Sequence, residues 1–513
     1  MATVTSPHPP FSTGPMLERF GLNSRVVDTK ALASAVQHCR KRRVVLPTLG
    51  QLRAPSQLAA ETTNRLAGLL PDAADPRNLF RIHWFNGQSR SAQVDCPAHL
   101  VLPQALTGVE APIIVMLGDR FPMIRAHKVL AAYACLAPAL VTGQFDPVEQ
   151  RAIWPSTGNF CRGGIAVSAI MGCRGVAVLP ENMSKERFEW LAAWVADSED
   201  IVRTPGSESN VKEIYDACSE LALDPRNLVF NQFCDFRNYV AHYHITGSAL
   251  STIIESLLAS STIGSLHSFV AASGSAGTLA AGDHLAEAFG ARIAAVEAAQ
   301  CPTLTRNGFG EHHIQGIGDK HVPFIHNVLN TSDLLAVDDG ACDALFYLAN
   351  DPAGQKYLHE RRQVAVETIG SLQHIGLSGW ANVLAAIRMA HAYNLDARQA
   401  VVTIATDGAQ LYHSERPRIL RERFAGDFDY TTAAETYARY VLGATAVEHV
   451  ELDRKERERV FNLGYFTWVE QQNVPLDSFV ARRRPSFWRD LQPLLGEWDS
   501  LITDFNARTA VRL

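Results

Sequence analysis

Between residues 111 and 407, short apolar runs alternate with longer helical runs, and this alternation constrains the fold more than any other feature of the chain. "APIIVML" reads as a strand and "RAHKVLAAYACLA" as the helix after it. "GGIAVSAIMG" reads as a helix and "RGVAVLP" as a strand, and "NLVFNQF" adds another strand. "LHSFVAAS", "TLAAGDHLAEAF" and "ARIAAVEA" read as strand, helix and strand. "WANVLAAIRMAHAYN" is helical, and "QAVVTIATD" is a late strand. Strands that stay apolar at every position are buried on both faces. The pattern therefore predicts an α/β fold, with parallel sheet flanked by helices.

The 513 residues, 47% of them hydrophobic, suffice for two or more lobes with a sizeable core. A net charge of -6 does not suit electrostatic binding of nucleic acid. The densest basic run, "RKRR" at residues 40–43, reads as a solvated turn before the strand-like "VVLPTL". Nine scattered cysteines with no C-x-x-C indicate reduced thiols and a cytoplasmic protein. Residues 1 to about 20 are rich in Pro, Ser and Thr, and are expected to be disordered and not a signal peptide. No run is apolar enough to span a bilayer, because Arg174 interrupts the best candidate.

Three segments carry chemistry. In "SGSAGT" a strand runs into Gly274, Ser275, Ala276, Gly277 and Thr278 and then into a helix. Small residues let backbone N–H groups converge there, and the helix N-terminus adds positive potential, which suits a phosphate; a plain tight turn is the alternative. Neither a Walker loop nor G-x-G-x-x-G is present. Lys128 lies in an apolar helical neighbourhood, where burial would free its amine for Schiff-base chemistry; snorkelling to the surface is the alternative. "STGNF", residues 156–160, offers donors for a carboxylate or serves simply as a helix cap. The histidines of "EHHIQGIGDKHVP" have no H-x-x-x-H spacing and no cysteine partner, so no metal is expected.

Taken in order, these segments resemble the cysteine synthase-like, or tryptophan synthase β, family of pyridoxal-phosphate enzymes of fold type II. "STGNF" looks like its Thr-Ser-Gly-Asn-Thr loop, and "GVAVLPENMSKERFEWL" like its Met-Pro-x-x-Met-Ser-x-x-Arg block. "NQFCDFRNYVAHYHITGSAL", "SGSAGT", "IQGIG", "GLSGWANVLAA" and "ATDGAQLY" stand where further family blocks do. The resemblance implies a two-lobed enzyme carrying pyridoxal 5'-phosphate, with an N-terminal extension at 1–103. It implies a large cofactor lobe at 104–150 and 246–430, a smaller mobile substrate lobe at 151–245 and a C-terminal helical extension at 431–513.

By the same resemblance, Lys128 binds the cofactor covalently and moves the α-proton, and Asn159 bonds the ring hydroxyl. Gly274, Ser275, Ala276, Gly277 and Thr278 hold the phosphate, Ser378 faces the ring nitrogen, and Ser156, Thr157, Gly158 and Gln232 hold the substrate carboxylate. "AHK" is similar to the tryptophan synthase β segment whose histidine touches the phosphate, a role that would fall to His127. The implied reaction is β-replacement on an activated serine-type amino acid through an aminoacrylate, with a small nucleophile; β-elimination from serine or threonine is the alternative. A homodimer is implied. Three residues depart from the family pattern and are expected to alter the pocket: Phe160, Cys161 and Trp380.

Overall fold

The structure is a computed structural model that describes residues 14–318 and 320–512, with side chains from residue 17. Residues 1–13, most of the segment expected to be disordered, lie outside it; Gly14–Arg19 is a helix. Eleven strands among the described residues form two sheets: β1 (His99–Leu102), β2 (Ile113–Leu117), β3 (Arg151–Pro155), β4 (Arg174–Pro180), β5 (Ile201–Thr204), β6 (Asn227–Val229), β7 (Ser265–Ala272), β8 (Arg292–Ala298), β9 (Asp333–Val337), β10 (Gln399–Ala405) and β11 (Glu448–Glu451). The large sheet runs β1-β2-β10-β7-β8-β9-β11 and the small one β5-β4-β3-β6. The small sheet is parallel throughout. In the large sheet only the edge pairs β1–β2 and β11–β9 are antiparallel.

Successive side chains of a strand point to opposite faces. On β2, Ile114 and Met116 enter one core, while Ile113, Val115 and Leu117 enter the other. On β8, Ile293 and Ala295 divide in the same way from Ala294, Val296 and Ala298. Two helix layers thus cover the sheet, which is why these strands show no polar alternation in sequence.

The edge strands come from the two extensions. β1 lies within 1–103 and β11 within 431–513, so each extension adds a strand to the large sheet. "HLVL" and "EHVE" are short and half-exposed, so hydropathy alone does not mark them.

"VVLPTL" departs from its strand expectation. Val44, Leu46 and Leu49 are buried, yet no strand forms, because Pro47 removes a ladder donor. A side chain takes the ladder's place: Leu46 N–H donates to Asn506 Oδ1 at 3.0 Å, and Asn506 Nδ2 donates back to the Leu46 carbonyl at 2.8 Å. Just beyond, Asp499 accepts from Leu49 N (2.6 Å) and Gly50 N (2.8 Å) at the start of the Leu49–Arg53 helix. Both acceptors sit on the C-terminal helix Leu494–Thr509, which also packs on the Lys128–Val141 helix. The extensions thus clasp each other beneath the helix that begins at Lys128.

Asn506→Ala leaves both Leu46 backbone groups unpaired, and is expected to lower unfolding stability by about 1–3 kcal/mol. A urea melt followed by tryptophan fluorescence checks this, and an unchanged midpoint refutes the clasp.

Candidate active site

Parallel strands end on one side of a sheet, and ligands of open α/β folds bind beyond those ends. Here the ends of β3, β7 and β10 border one cleft between the sheets. It is lined by His127, Lys128, Ser156, Thr157, Asn159, Phe160, Gln232, Ser378 and the loop Gly274, Ser275, Ala276, Gly277 and Thr278. The cleft therefore brings together all the residues given a cofactor or substrate role in the sequence except Gly158, which lies in the same turn without lining it.

Lys128 opens the helix Lys128–Val141, in which every later residue is buried. Its Nζ donates to Gln232 Oε1 at 2.8 Å and to Ser275 Oγ at 2.9 Å, a bridge from the turn after β6 to the small-residue loop. That loop leads into the helix Leu279–Phe289. A Cβ on Gly277 would lie 2.8 Å from Asn238 Oδ1 and 2.9 Å from His242 Cδ2, so only glycine fits. Ala276 adopts a left-handed φ of 62°, an uncommon backbone for a non-glycine residue.

His127 and His242 stand 5.2 Å apart beside Lys128. Burial, and then the Lys128 charge, hold His127 well below the usual imidazole range. The same causes bring His242 down to about 3. Each Nε2 lacks a hydrogen-bond partner among the described residues. A bound anion would reverse the electrostatic pressure and supply the missing partner.

On the opposite wall, Asn159 starts the helix Asn159–Met171. Its Nδ2 donates to Asp407 Oδ2 at 2.6 Å, and its Oδ1 accepts from Arg162 Nη1 at 3.0 Å. Tyr412 also donates to Asp407 Oδ2, at 2.8 Å. Burial raises the Asp407 carboxyl against the opposing pull of Arg187. These partners fix which end of the Asn159 amide is the donor. Ser378 Oγ lies 3.2 Å from Thr406 Oγ1 at the start of the Leu377–Ala392 helix.

The turn at residues 156–159 is tight. Gly158 has a φ of 149°, and a Cβ there would meet the Arg187 guanidinium at 2.6–3.0 Å. Ser156 Oγ accepts from Gly158 N at 3.0 Å. Of the three departures from the family pattern, only Phe160 borders the cleft. Its ring also packs edge-on against Trp154 at 5.5 Å. Cys161 Sγ points back to the Gly158 carbonyl, and Trp380 lies in the core cluster behind the sheet, so neither alters the pocket as expected from the sequence.

Two contacts reach the "IQGIG" loop from residues 187 and 208. Arg187 Nη1 donates to Gln315 Oε1, and Glu208 Oε1 accepts from Gly316 N–H. The motifs assign no role to Arg162, Arg187, Glu208, His242 or Asp407. Arg187, His242 and Asp407 do stand inside the quoted blocks, but only the fold shows them to be buried.

Burial pushes the Glu208 carboxyl up to about 8, against the pull of Arg187. The folded state then holds a proton that the unfolded chain releases near pH 4.5, so Glu208 makes stability fall as pH rises from about 5 to 8. Glu208→Gln, which keeps an acceptor and cannot ionise, is expected to flatten the pH–stability profile in that window. The change is at most about 1.4 kcal/mol per pH unit. Superimposable wild-type and variant profiles would refute it.

Residues 101–351 match the family described as "Pyridoxal-phosphate dependent enzyme". The chain is 30% identical over 285 residues to a cysteine synthase of Staphylococcus aureus, covering 55% of this chain and 82% of that one. It is 29% identical over 287 residues to a probable cysteine synthase of Bacillus subtilis, covering 55% and 83%. The fold is similar to the crystal structure of a hydrogen sulfide-producing enzyme from Fusobacterium nucleatum, with a TM-score of 0.51 and 20% identity over 67% of this chain and 93% of that one. With Lys128 between the small-residue loop and the turn at residues 156–159, and with this likeness to cysteine synthases, the chain belongs to the family of pyridoxal-phosphate-dependent enzymes.

Proposed function

We propose that the protein catalyses β-replacement on an activated serine-type amino acid with a small nucleophile, and that Lys128 holds the cofactor covalently. The observation that carries this reading is the Lys128 ammonium, held 2.9 Å from Ser275 of the phosphate-type loop and 2.8 Å from Gln232 on the substrate side.

The residues present fit pyridoxal phosphate. The cradle admits only glycine at 277, and two imidazoles with unpartnered Nε2 atoms stand beside Lys128. When bound, the cofactor supplies an electron sink for the charge left at the substrate Cα. The remaining work belongs to the chain. Gly274, Ser275, Ala276, Gly277 and Thr278 hold the phosphate, with His127 and His242 beside them. Asn159, its amide oriented by Arg162 and Asp407, presents N–H to the ring oxygen. Ser378, a neutral hydroxyl, meets the ring nitrogen without fixing a positive charge there, which suits rapid loss of a β substituent. Ser156, Thr157, Gly158 and Gln232 hold the substrate carboxylate, and Lys128 Nζ takes and returns the α-proton. Phe160 gives the substrate side an apolar wall. By likeness to its family the enzyme is a cytoplasmic homodimer, a setting that its nine free thiols suit.

Lys128→Ala is expected to abolish the visible band of the protein-bound cofactor and to cut turnover by at least about 10³-fold. Borohydride reduction followed by peptide mapping locates the attachment, and a pyridoxyl group on another lysine overturns it. Incubation of the holoenzyme with O-acetylserine, O-phosphoserine or serine, with and without a thiol, tests the reaction. A thioether product is expected, and keto acid alone identifies an eliminating lyase instead. Asp407→Asn releases the Asn159 amide from its fixed orientation, and is expected to move the pH titration of the visible band by about one unit. An unmoved titration shows that Asp407 does not set that orientation.

A further inference from the structure

A second cavity lies behind the cofactor cleft, roofed by residues from the C-terminal extension. Its walls carry Asp283 and Glu287 on one side and Arg482 and Arg489 on the other, with Trp488 and Tyr243 between. The roof lies outside the stretch matched by the family, residues 101–351.

Arg482 is the anomaly. It is 3% exposed, and no carboxylate among the described residues pairs with it. Its guanidinium is held over the rings of Phe324 (4.0 Å), Phe479 (4.6 Å) and Phe461 (5.0 Å). Nη1 donates to the Phe324 carbonyl at 2.6 Å and Nε to that of Phe479 at 3.3 Å. Buried charges are ordinarily paired, and carbonyl dipoles do not neutralise a full charge. Burial brings this guanidinium down to about 9. Arg489, exposed and without an ion pair among the described residues, adds a second cation.

The facing wall has the opposite sign. Asp283 accepts from Tyr239 (2.6 Å), Asn327 (3.0 Å) and Asn330 (2.5 Å), yet burial still raises its carboxyl to about 6. Glu287, one turn on, accepts from Tyr243 at 2.6 Å. A phosphate or dicarboxylate would satisfy the arginines but meet these carboxylates. A molecule with a carboxylate at one end and an ammonium at the other satisfies both walls.

We propose that this cavity is a second binding site, for a small zwitterionic α-amino acid, with its carboxylate on Arg482 and Arg489 and its ammonium on Asp283 and Glu287. The Trp488 ring and Leu329 offer apolar surface to its side chain. The site is wired to the cofactor cradle. Asp283 and Glu287 lie on the Leu279–Phe289 helix that leaves the phosphate-type loop. Their tyrosine partners alternate with Asn238 and His242, which touch Gly277. Filling the cavity therefore braces the back of the cradle. The inference stands on this cavity alone and does not depend on the reaction proposed above.

Titration calorimetry of the holoenzyme, its cofactor first reduced onto the protein with borohydride, tests the site with L-alanine and L-methionine as probes. One saturable site per chain is expected, with propionate and propylamine each binding at least about tenfold more weakly. Arg489→Ala, an exposed position that leaves the core intact, is expected to weaken binding several-fold, and Asp283→Asn likewise. Thr157→Val, in the cleft, is expected to leave the isotherm unchanged. No heat with either amino acid up to about 10 mM overturns the proposal. So does an isotherm indifferent to Arg489→Ala, one abolished by Thr157→Val, or propionate binding as tightly as L-alanine.

Discussion

Lys128 stands at the N-terminal end of a helix whose next thirteen residues, Val129 to Val141, are all buried. A cation at that end of a helix meets the positive pole of the backbone dipole, so its stabilisation must come from outside the helix. Two oxygens provide it, one from the turn after β6 and one from the loop after β7. Much else follows from holding that ammonium. The Lys128–Val141 helix must be packed on all sides, the two sheets must meet at its first residue, and the histidines nearby must remain neutral.

The cleft is surrounded by ionisable groups that cannot reach water. Arg162, Arg187, Glu208 and Asp407 are each buried. Such groups cost several kcal/mol apiece unless satisfied. They are held mainly by amides and backbone: Arg162 by Asn159, Arg187 by Gln315, Glu208 by Gly316, and Asp407 by Asn159 and Tyr412, while Arg162 Nε, Arg187 Nε and Nη2, Glu208 Oε2 and Asp407 Oδ1 find no partner among the described residues. The partners are the same residues that line or border the cleft. The hydrogen bonds of the shell and the orientation of the inner side chains are therefore one network, and the contacts of Arg187 and Glu208 also reach across the opening to the "IQGIG" loop.

The extensions serve the same end. They close against each other through Asn506 and Asp499, cover the far side of the Lys128–Val141 helix and supply both antiparallel edges of the large sheet. An antiparallel edge strand ends a parallel sheet without requiring another crossover helix. Trp84 shows how far the bracing reaches. Its indole donates to Thr246 Oγ1, which lies 2.8 Å from His242 Nδ1, so the N-terminal extension touches the side chain that backs the cradle.

The sequence by itself determined the interior of the fold. Apolar strands such as "IIVML" and "RIAAVEA" can be stable only when covered on both faces, and short-range chemistry marked the small-residue loop, the "STGNF" turn and Lys128. These features are local, so local pattern reveals them. Tertiary structure alone decided the rest, because it depends on partners far apart in the chain. "VVLPTL" has the composition of a strand but finds a side-chain amide 460 residues away in place of a ladder. "EHVE" lacks that composition and becomes a strand because β9 leaves an open edge. Trp380, two residues on from Ser378, points away from the cleft, because the helix that carries both residues turns one face to the site and the other to the core. Asp407 became part of the site only when folding brought it against Asn159, 248 residues away, since a buried hydrogen bond is a property of the pair and neither residue's neighbours in sequence predict the other.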